Sequence, residues 1–203
     1  MIVTQPTVIA LCGPAGAGKS TVADYLVEMY GAQRHSFAGP LKEMVKRALD
    51  FTDEQVYGTQ EQKEAIDPRY GHSPVWFLQK IGTQGCRATY GEDFFTSRCI
   101  DGIVRQNQPL SVIEDCRFTN EADAVLLDSR VNGHVLRLWP VDDDVSKMRA
   151  AGRGRHESEE QWRHCGPCIE IKPTKRGIPE LLQLVHEAMR MIVVRSPAGG
   201  VKW

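Results

Sequence analysis

Eight residues constrain this chain more than any other stretch: Gly13-Pro14-Ala15-Gly16-Ala17-Gly18-Lys19-Ser20. They fill the pattern G-x-x-x-x-G-K-[ST], and their flanks matter as much as the pattern does. Before them, Val8–Cys12 is a short apolar run that suits a strand buried on both faces. After them, Val22, Tyr25, Leu26 and Met29 recur at the spacing of one helix face. A glycine-rich turn in that position can point successive amides inward, with the positive end of the following helix behind them. This is a cradle for phosphate oxygens, in which Lys19 reaches the β- and γ-phosphates and the Ser20 hydroxyl offers a ligand to Mg²⁺. The expected ATP-binding residues are Gly13, Ala15, Gly16, Ala17, Gly18, Lys19, Ser20 and the adjoining Thr21.

The rest of the chain continues the alternation. Strands are expected at Arg34–Phe37, Leu110–Ile113, Val135–Leu138 and Cys168–Ile171. Helices are expected from Pro40 to about Leu49, from a serine cap at Ser73 with Pro74 in the first turn, over Glu92–Val104, around Asn120–Leu127, and from Ile178 to Ile192. Residues 50–72 read as polar and irregular, apart from a short helix near Asp53–Tyr57. Strands separated by helices predict an α/β fold with a mainly parallel sheet. No repeat or linker divides the 203 residues, so a single domain is expected, with an excursion at about 140–165.

Composition narrows the class. With 41% hydrophobic and 25% charged residues and a net charge of −1, the chain lacks the basic surplus of a protein that coats nucleic acid polymer or a membrane. No apolar run is of membrane-spanning length and the N-terminus has no secretory pattern, so a cytoplasmic protein is expected. The six scattered cysteines read as reduced thiols.

Further residues point to chemistry. Asp115 ends an apolar strand, where a parallel sheet opens its ligand crevice, and is the second expected Mg²⁺ ligand beside Ser20. Glu114 should turn the other way by strand alternation. Arg117, two residues on, is near enough for a phosphate. Gln79, Thr83 and Arg87 recur at i, i+4, i+8 as a polar helical stripe, and Gly82 and Gly85 should share a face that something approaches closely. In the excursion, Lys147, Arg149, Arg153, Arg155 and His156 offer cations for a small lid that closes over phosphates, and a solvated basic loop is the competing reading. Cys165-Gly166-Pro167-Cys168 has the residues of a redox centre but precedes a strand rather than opening a helix, and one C-x-x-C is half of a usual zinc set. It reads as incidental.

In order and spacing these motifs resemble the bacteriophage deoxynucleoside monophosphate kinases, a branch of the P-loop nucleotide kinases, from about Val8 to Ile171. Besides the turn, the resemblance rests on Phe37-Ala38-Gly39-Pro40-Leu41-Lys42, Leu78-Gln79 with Gly82-Thr83 and Arg87, Asp115-Cys116-Arg117-Phe118 with Asn120-Glu121, and His156-Glu157-Ser158-Glu159. It implies a three-layer α/β/α fold with a small lid, a monophosphate-binding region at about 38–106, Mg-ATP as donor and a deoxynucleoside monophosphate as acceptor. By position Lys42, Gln79, Thr83, Arg87 and Arg117 would meet the acceptor. Lys19, Arg87, Asp115, Arg117 and Arg155 would serve transfer, with Arg149, Arg153, Arg155 and His156 in the lid. The host cytoplasm is the corresponding compartment for a phage protein, and a homodimer is compatible. Trp139 stands where the family often has an arginine before proline, and Phe95 replaces a frequent tryptophan. Another small-molecule P-loop kinase, such as a dephospho-coenzyme-A kinase, and a nucleotide-binding regulatory ATPase are the alternatives.

Overall fold

In the computed structural model, residues 5–14, 16–141 and 161–195 are described. Their contacts divide the chain into two compact units, one of Met1–Ser36 with Cys99–Trp203 and one of Phe37–Arg98. The second unit falls within the region at about 38–106 for which the resemblance implies monophosphate binding.

The first unit is built on a five-stranded parallel sheet in the order β2-β3-β1-β4-β5. Its strands are β1 (Thr7–Cys12), β2 (Gln33–His35), β3 (Leu110–Cys116), β4 (Asn132–Leu138) and β5 (Ile169–Ile171). β1 lies in the middle, which is why Val8–Cys12 is apolar throughout: every residue of that run is fully buried.

Alternation along β1 separates two helical layers. Ile9 and Leu11 face α1 (Lys19–Tyr30) and the last helix, and share a core with Val22, Leu26, Leu181, Val185, Met189 and Ile192. The opposite face, that of Val8, carries Gly133 as the neighbour in β4. A Cβ at Gly133 would sit 1.8 Å from the carbonyl oxygen of Val125, in the helix Thr119–Leu126. Only glycine lets that helix lie so close to the strand. The sheet is thus covered on both sides, the three-layer α/β/α arrangement the resemblance implied. Met29, placed by spacing on one helix face with Val22, Tyr25 and Leu26, is 57% exposed, whereas Val22 and Leu26 are fully buried.

The second unit is helical. It contains α2 (Gly39–Leu49), α3 (Asp53–Tyr57), α4 (Gln60–Glu64), α5 (Pro74–Gln79), a π-helical segment (Lys80–Arg87), the short α6 (Ala88–Tyr90) and the start of α7 (Phe94–Gln106). Among the described residues, helices α8 (Thr119–Leu126) and α9 (Ile178–Arg195) follow in the first unit. Leu41, Val45, Phe51, Val56 and Phe95 form the core of this unit.

Residues 50–72 are more ordered than their polarity suggests. Thr52 and Thr59 each begin a short helix with a reciprocal capping box, to Gln55 and Gln62. Asp67, 4% exposed, accepts from the Arg69 backbone and guanidinium and from Gln55 Nε2 at 2.8–3.0 Å. Those bonds, Arg69 foremost, hold its carboxyl well below the usual carboxylate range. No helix among the described residues is long and apolar enough to cross a membrane.

Candidate active site

The turn between β1 and α1 has the geometry a phosphate cradle needs. Gly18 is left-handed, φ +85°, and caps α1 with backbone alone, so no side chain occupies the positive helix end. A Cβ at Gly13 would lie 2.6 Å from the carbonyl oxygen of Leu138, so this position is closed to larger residues as well. Lys19 Nζ folds back over the turn and donates to the carbonyl oxygens of Gly13 and Pro14 at 2.7 and 2.6 Å. Gly16, Ser20 and Thr21 face outward to differing degrees, while Ala17 is buried against the core. Ala15 lies outside the described residues.

Asp115 reaches the same end of the sheet through an irregularity. Against β1, the register of β3 slips by one residue: Ala10 pairs with Ile113, but Cys12 pairs with Cys116. The extra residue falls at Glu114-Asp115, and such a bulge re-aims side chains. Simple alternation therefore does not describe this pair. Both acids are held by residues two apart at the end of β2: Arg34 pairs with Glu114, and Ser36 Oγ donates to Asp115 Oδ2 at 2.6 Å. Arg34 also pairs with Asp24 of α1. Hydroxyl and carboxylate oxygens of the Ser20 and Asp115 type suit a hard cation such as Mg²⁺.

Arg117 leaves β3 immediately afterwards, and its backbone N–H donates to the carboxylate of Glu121 at 2.8 Å. Glu121 accepts from Phe118 N as well, at 3.1 Å, and is 4% exposed. This carboxylate fixes the exit of β3 into α8 and with it the place of Arg117.

Beside the turn lies a pocket of about 200 Å³, lined among others by Gly16, Gly18, Thr21, Trp139, Arg176 and Leu181. Trp139 and the segment Pro173–Ile178 carry no motif, and the sequence reading missed them as pocket residues. The one signal available was Trp139 itself, an aromatic at the end of an apolar strand. Its indole Nε1 is buried and has no hydrogen-bond partner among the described residues.

In the helical unit, Lys42 is half-buried with its ammonium 5.2 Å from the Tyr57 ring centre. Gln79 and Thr83 are exposed, and Arg87 is half-buried beside Phe95 and 4.0 Å from Glu92. Lys80–Arg87 is π-helical rather than α-helical, which the i, i+4, i+8 spacing did not foretell. Hydrogen bonds from i to i+5 align residues five apart, so Gly82 and Gly85 do not share a face as expected. A Cβ at Gly82 would lie 2.7 Å from Leu41 Cδ2, whereas at Gly85 it would make ordinary contact. Arg149, Arg153, Arg155 and His156, like Lys147, lie outside the described residues.

The cysteines do not fall where the C-x-x-C spacing pointed. Cys165 is buried with Cys12 and Cys116, their Sγ atoms within 4.8 Å of one another, and Cys168 is not among them. Hydrogen bonds from Cys116 and Cys12, helped by the charge of Arg137, pull the Cys165 thiol below the usual thiol range, while the same cluster and burial push Cys116 up.

The sheet order, the glycine turn and the acid at the end of the neighbouring strand define the class of P-loop kinases. Solved structures share the fold: TT1252 from Thermus thermophilus (TM-score 0.51, 16% identity, 92% of this chain and 97% of that one) and shikimate kinase from Aquifex aeolicus (TM-score 0.50, 17% identity, 96% and 100%). No family model matches the sequence. A viral protein named "Putative deoxynucleotide monophosphate kinase", from Acanthamoeba polyphaga mimivirus, is 35% identical over 142 residues, covering 64% of this chain and 72% of the relative. The chain belongs to the deoxynucleotide monophosphate kinase family.

Proposed function

We propose that this protein transfers the γ-phosphoryl group of ATP to a deoxynucleoside monophosphate, yielding ADP and the deoxynucleoside diphosphate, in the cytoplasm and with Mg²⁺. The observation that carries the reading is the pairing of the Lys19 turn with Asp115, held by Ser36, in a chain of this family. The motifs at Asp115–Phe118 and His156–Glu159 support its assignment to the bacteriophage branch.

The chemistry is positioning and charge neutralisation, with little covalent work for the protein. The turn's amides bind the β-phosphate. Lys19 exchanges the carbonyls of Gly13 and Pro14 for β- and γ-phosphate oxygens, a charge-assisted contact in place of neutral ones. Ser20 and Asp115 would hold Mg²⁺, which neutralises charge on the β- and γ-phosphates. The pocket at Trp139 and Arg176 takes the donor's base and ribose. Arg117, on the strand exit fixed by Glu121, meets the moving phosphoryl group. In the helical unit, Lys42, Gln79, Thr83 and Arg87 are the acceptor determinants. Arg149, Arg153, Arg155 and His156 close over the phosphates and exclude water.

An acceptor screen tests this directly. With ATP and Mg²⁺, ADP release should depend on a deoxynucleoside monophosphate. Release that needs dephospho-coenzyme A, or that proceeds with no acceptor, would instead favour another small-molecule kinase or a regulatory ATPase.

A further inference from the structure

The three buried thiols below the phosphate turn are not explained by phosphoryl transfer. Cys12 and Cys116 are partners across β1 and β3, and Cys12 has Arg137 as its partner on the other side, in β4. Cys165 reaches this row from the turn after the short 3₁₀ helix Gln161–His164. Three elements far apart in sequence therefore bring half of the chain's six cysteines to one point.

We propose that Cys12, Cys116 and Cys165 form a binding site for a thiophilic divalent d¹⁰ cation of the Zn²⁺ class. Geometry is the first argument. Zinc–sulfur bonds of about 2.3 Å put the sulfurs of a three-thiolate site about 4 Å apart. The three Sγ atoms already lie within 4.8 Å of one another, so the ion needs side-chain adjustment but no strand movement. Donor type is the second: thiolate sulfur selects a soft cation, whereas the oxygen donors at Ser20 and Asp115 suit Mg²⁺, so the two sites do not compete for one metal.

Charge is the third argument. Three thiolates and a divalent cation leave a net charge of −1 in a buried place, which needs an opposite charge nearby. Arg137 is there, 8% exposed, donating from Nη2 to the carbonyl oxygens of Cys165 at 2.5 Å and Gly166 at 3.4 Å. Its Nη1 meets Glu170 at 3.3 Å, while its Nε has no hydrogen-bond partner among the described residues. A buried cation with an unpartnered N–H suits an anionic metal–thiolate centre better than three neutral thiols. The competing reading is that the cysteines pack as small apolar residues and bind nothing. Binding would displace the thiol protons to solvent, and the Cys12 and Cys165 sulfurs would exchange their contacts with the carbonyl oxygens of Trp162 and Phe118 for the metal.

The test uses the whole, reduced, metal-free protein and Cd²⁺ as a spectroscopic probe, with Zn²⁺ as competitor. The ultraviolet thiolate-to-metal charge-transfer band should saturate at one ion per chain in the wild type and in Cys168→Ala, and Zn²⁺ should abolish it. Cys116→Ala and Cys165→Ala should each weaken binding by about 100-fold or more, at least the loss expected from an outer-shell partner. X-ray absorption on the wild-type zinc complex, which needs no variant to fold, should count three sulfur ligands. No charge-transfer band in the wild type, a band unaltered by Cys165→Ala, or fewer than three sulfurs would overturn the site.

Discussion

Ser36 Oγ donates a 2.6 Å hydrogen bond to Asp115 Oδ2, joining residues 79 apart in sequence at the carboxyl ends of neighbouring parallel strands. The bond fixes one carboxylate oxygen of the group proposed above to hold Mg²⁺. Ser36→Ala leaves Asp115 in place but less firmly oriented. Loss of an outer-shell partner of this kind costs roughly 10–100-fold in metal affinity. The Mg²⁺ concentration for half-maximal rate should rise within that range, with the rate at saturating Mg²⁺ falling less, as a Mg²⁺ titration at fixed ATP would measure. An unchanged Mg²⁺ dependence would remove Ser36 from the site.

Trp139 presents its ring to the pocket beside the turn and packs edge-on against Trp162, with centroids 5.1 Å apart. Trp139→Phe keeps an aromatic against Trp162 but loses the indole N–H and part of the ring. An aromatic contact worth about 0.5–1.5 kcal/mol corresponds to a roughly 2- to 10-fold rise in the KM for ATP, with the KM for the acceptor unchanged. Steady-state kinetics with each substrate varied in turn separates the two.

Gly133 is a packing requirement, because an added Cβ meets backbone, the Val125 carbonyl, rather than a side chain that can swing away. Gly133→Ala should destabilise the fold by about 1–3 kcal/mol, the usual cost of forcing atoms into a packed interior. A denaturant melt should show a lower midpoint with an unaltered slope. Gly85→Ala, where the new Cβ makes only ordinary contact with Ile81, is the matched control.

Asp67 gives stability a pH dependence of known sign. Its carboxyl ionises more readily folded than unfolded, chiefly because Arg69 donates to it. The folded state is therefore favoured above the ordinary value of 3.8, and the benefit disappears as pH falls below it. Melting temperatures of wild type and Asp67→Asn should differ at neutral pH and converge in acid. A gap that holds constant from neutral pH into acid would contradict the assignment.

What could be read from the sequence was what is local. The turn Gly13–Ser20, its flanking strand and helix, the Ser73-Pro74 start and the apolar strands each announce themselves within about ten residues, and their order fixes the parallel sheet. Three features lay beyond such reading. The register slip at Glu114-Asp115 depends on how β3 meets β1, so it cannot be read from alternation along β3 alone. The π-helix at Lys80–Arg87 keeps residues with ordinary helical spacing and differs in a hydrogen-bond pattern that no side chain spells out. The thiol cluster draws one cysteine from each of three distant segments, while the conspicuous C-x-x-C pairing contributes only Cys165. The pocket residues Trp139 and Arg176 likewise come together only through the fold.

Chromatography of the products formed from ATP, Mg²⁺ and a deoxynucleoside monophosphate, by wild type and by Lys19→Ala, tests the central claim most directly. Wild type should yield ADP and the deoxynucleoside diphosphate in equal amounts. Lys19→Ala, which removes the cation proposed to follow the transferring phosphoryl group, should be slower by roughly 10²–10³-fold with an unchanged circular dichroism spectrum. Wild-type turnover by the folded variant, or ADP without a phosphorylated acceptor, would contradict the account.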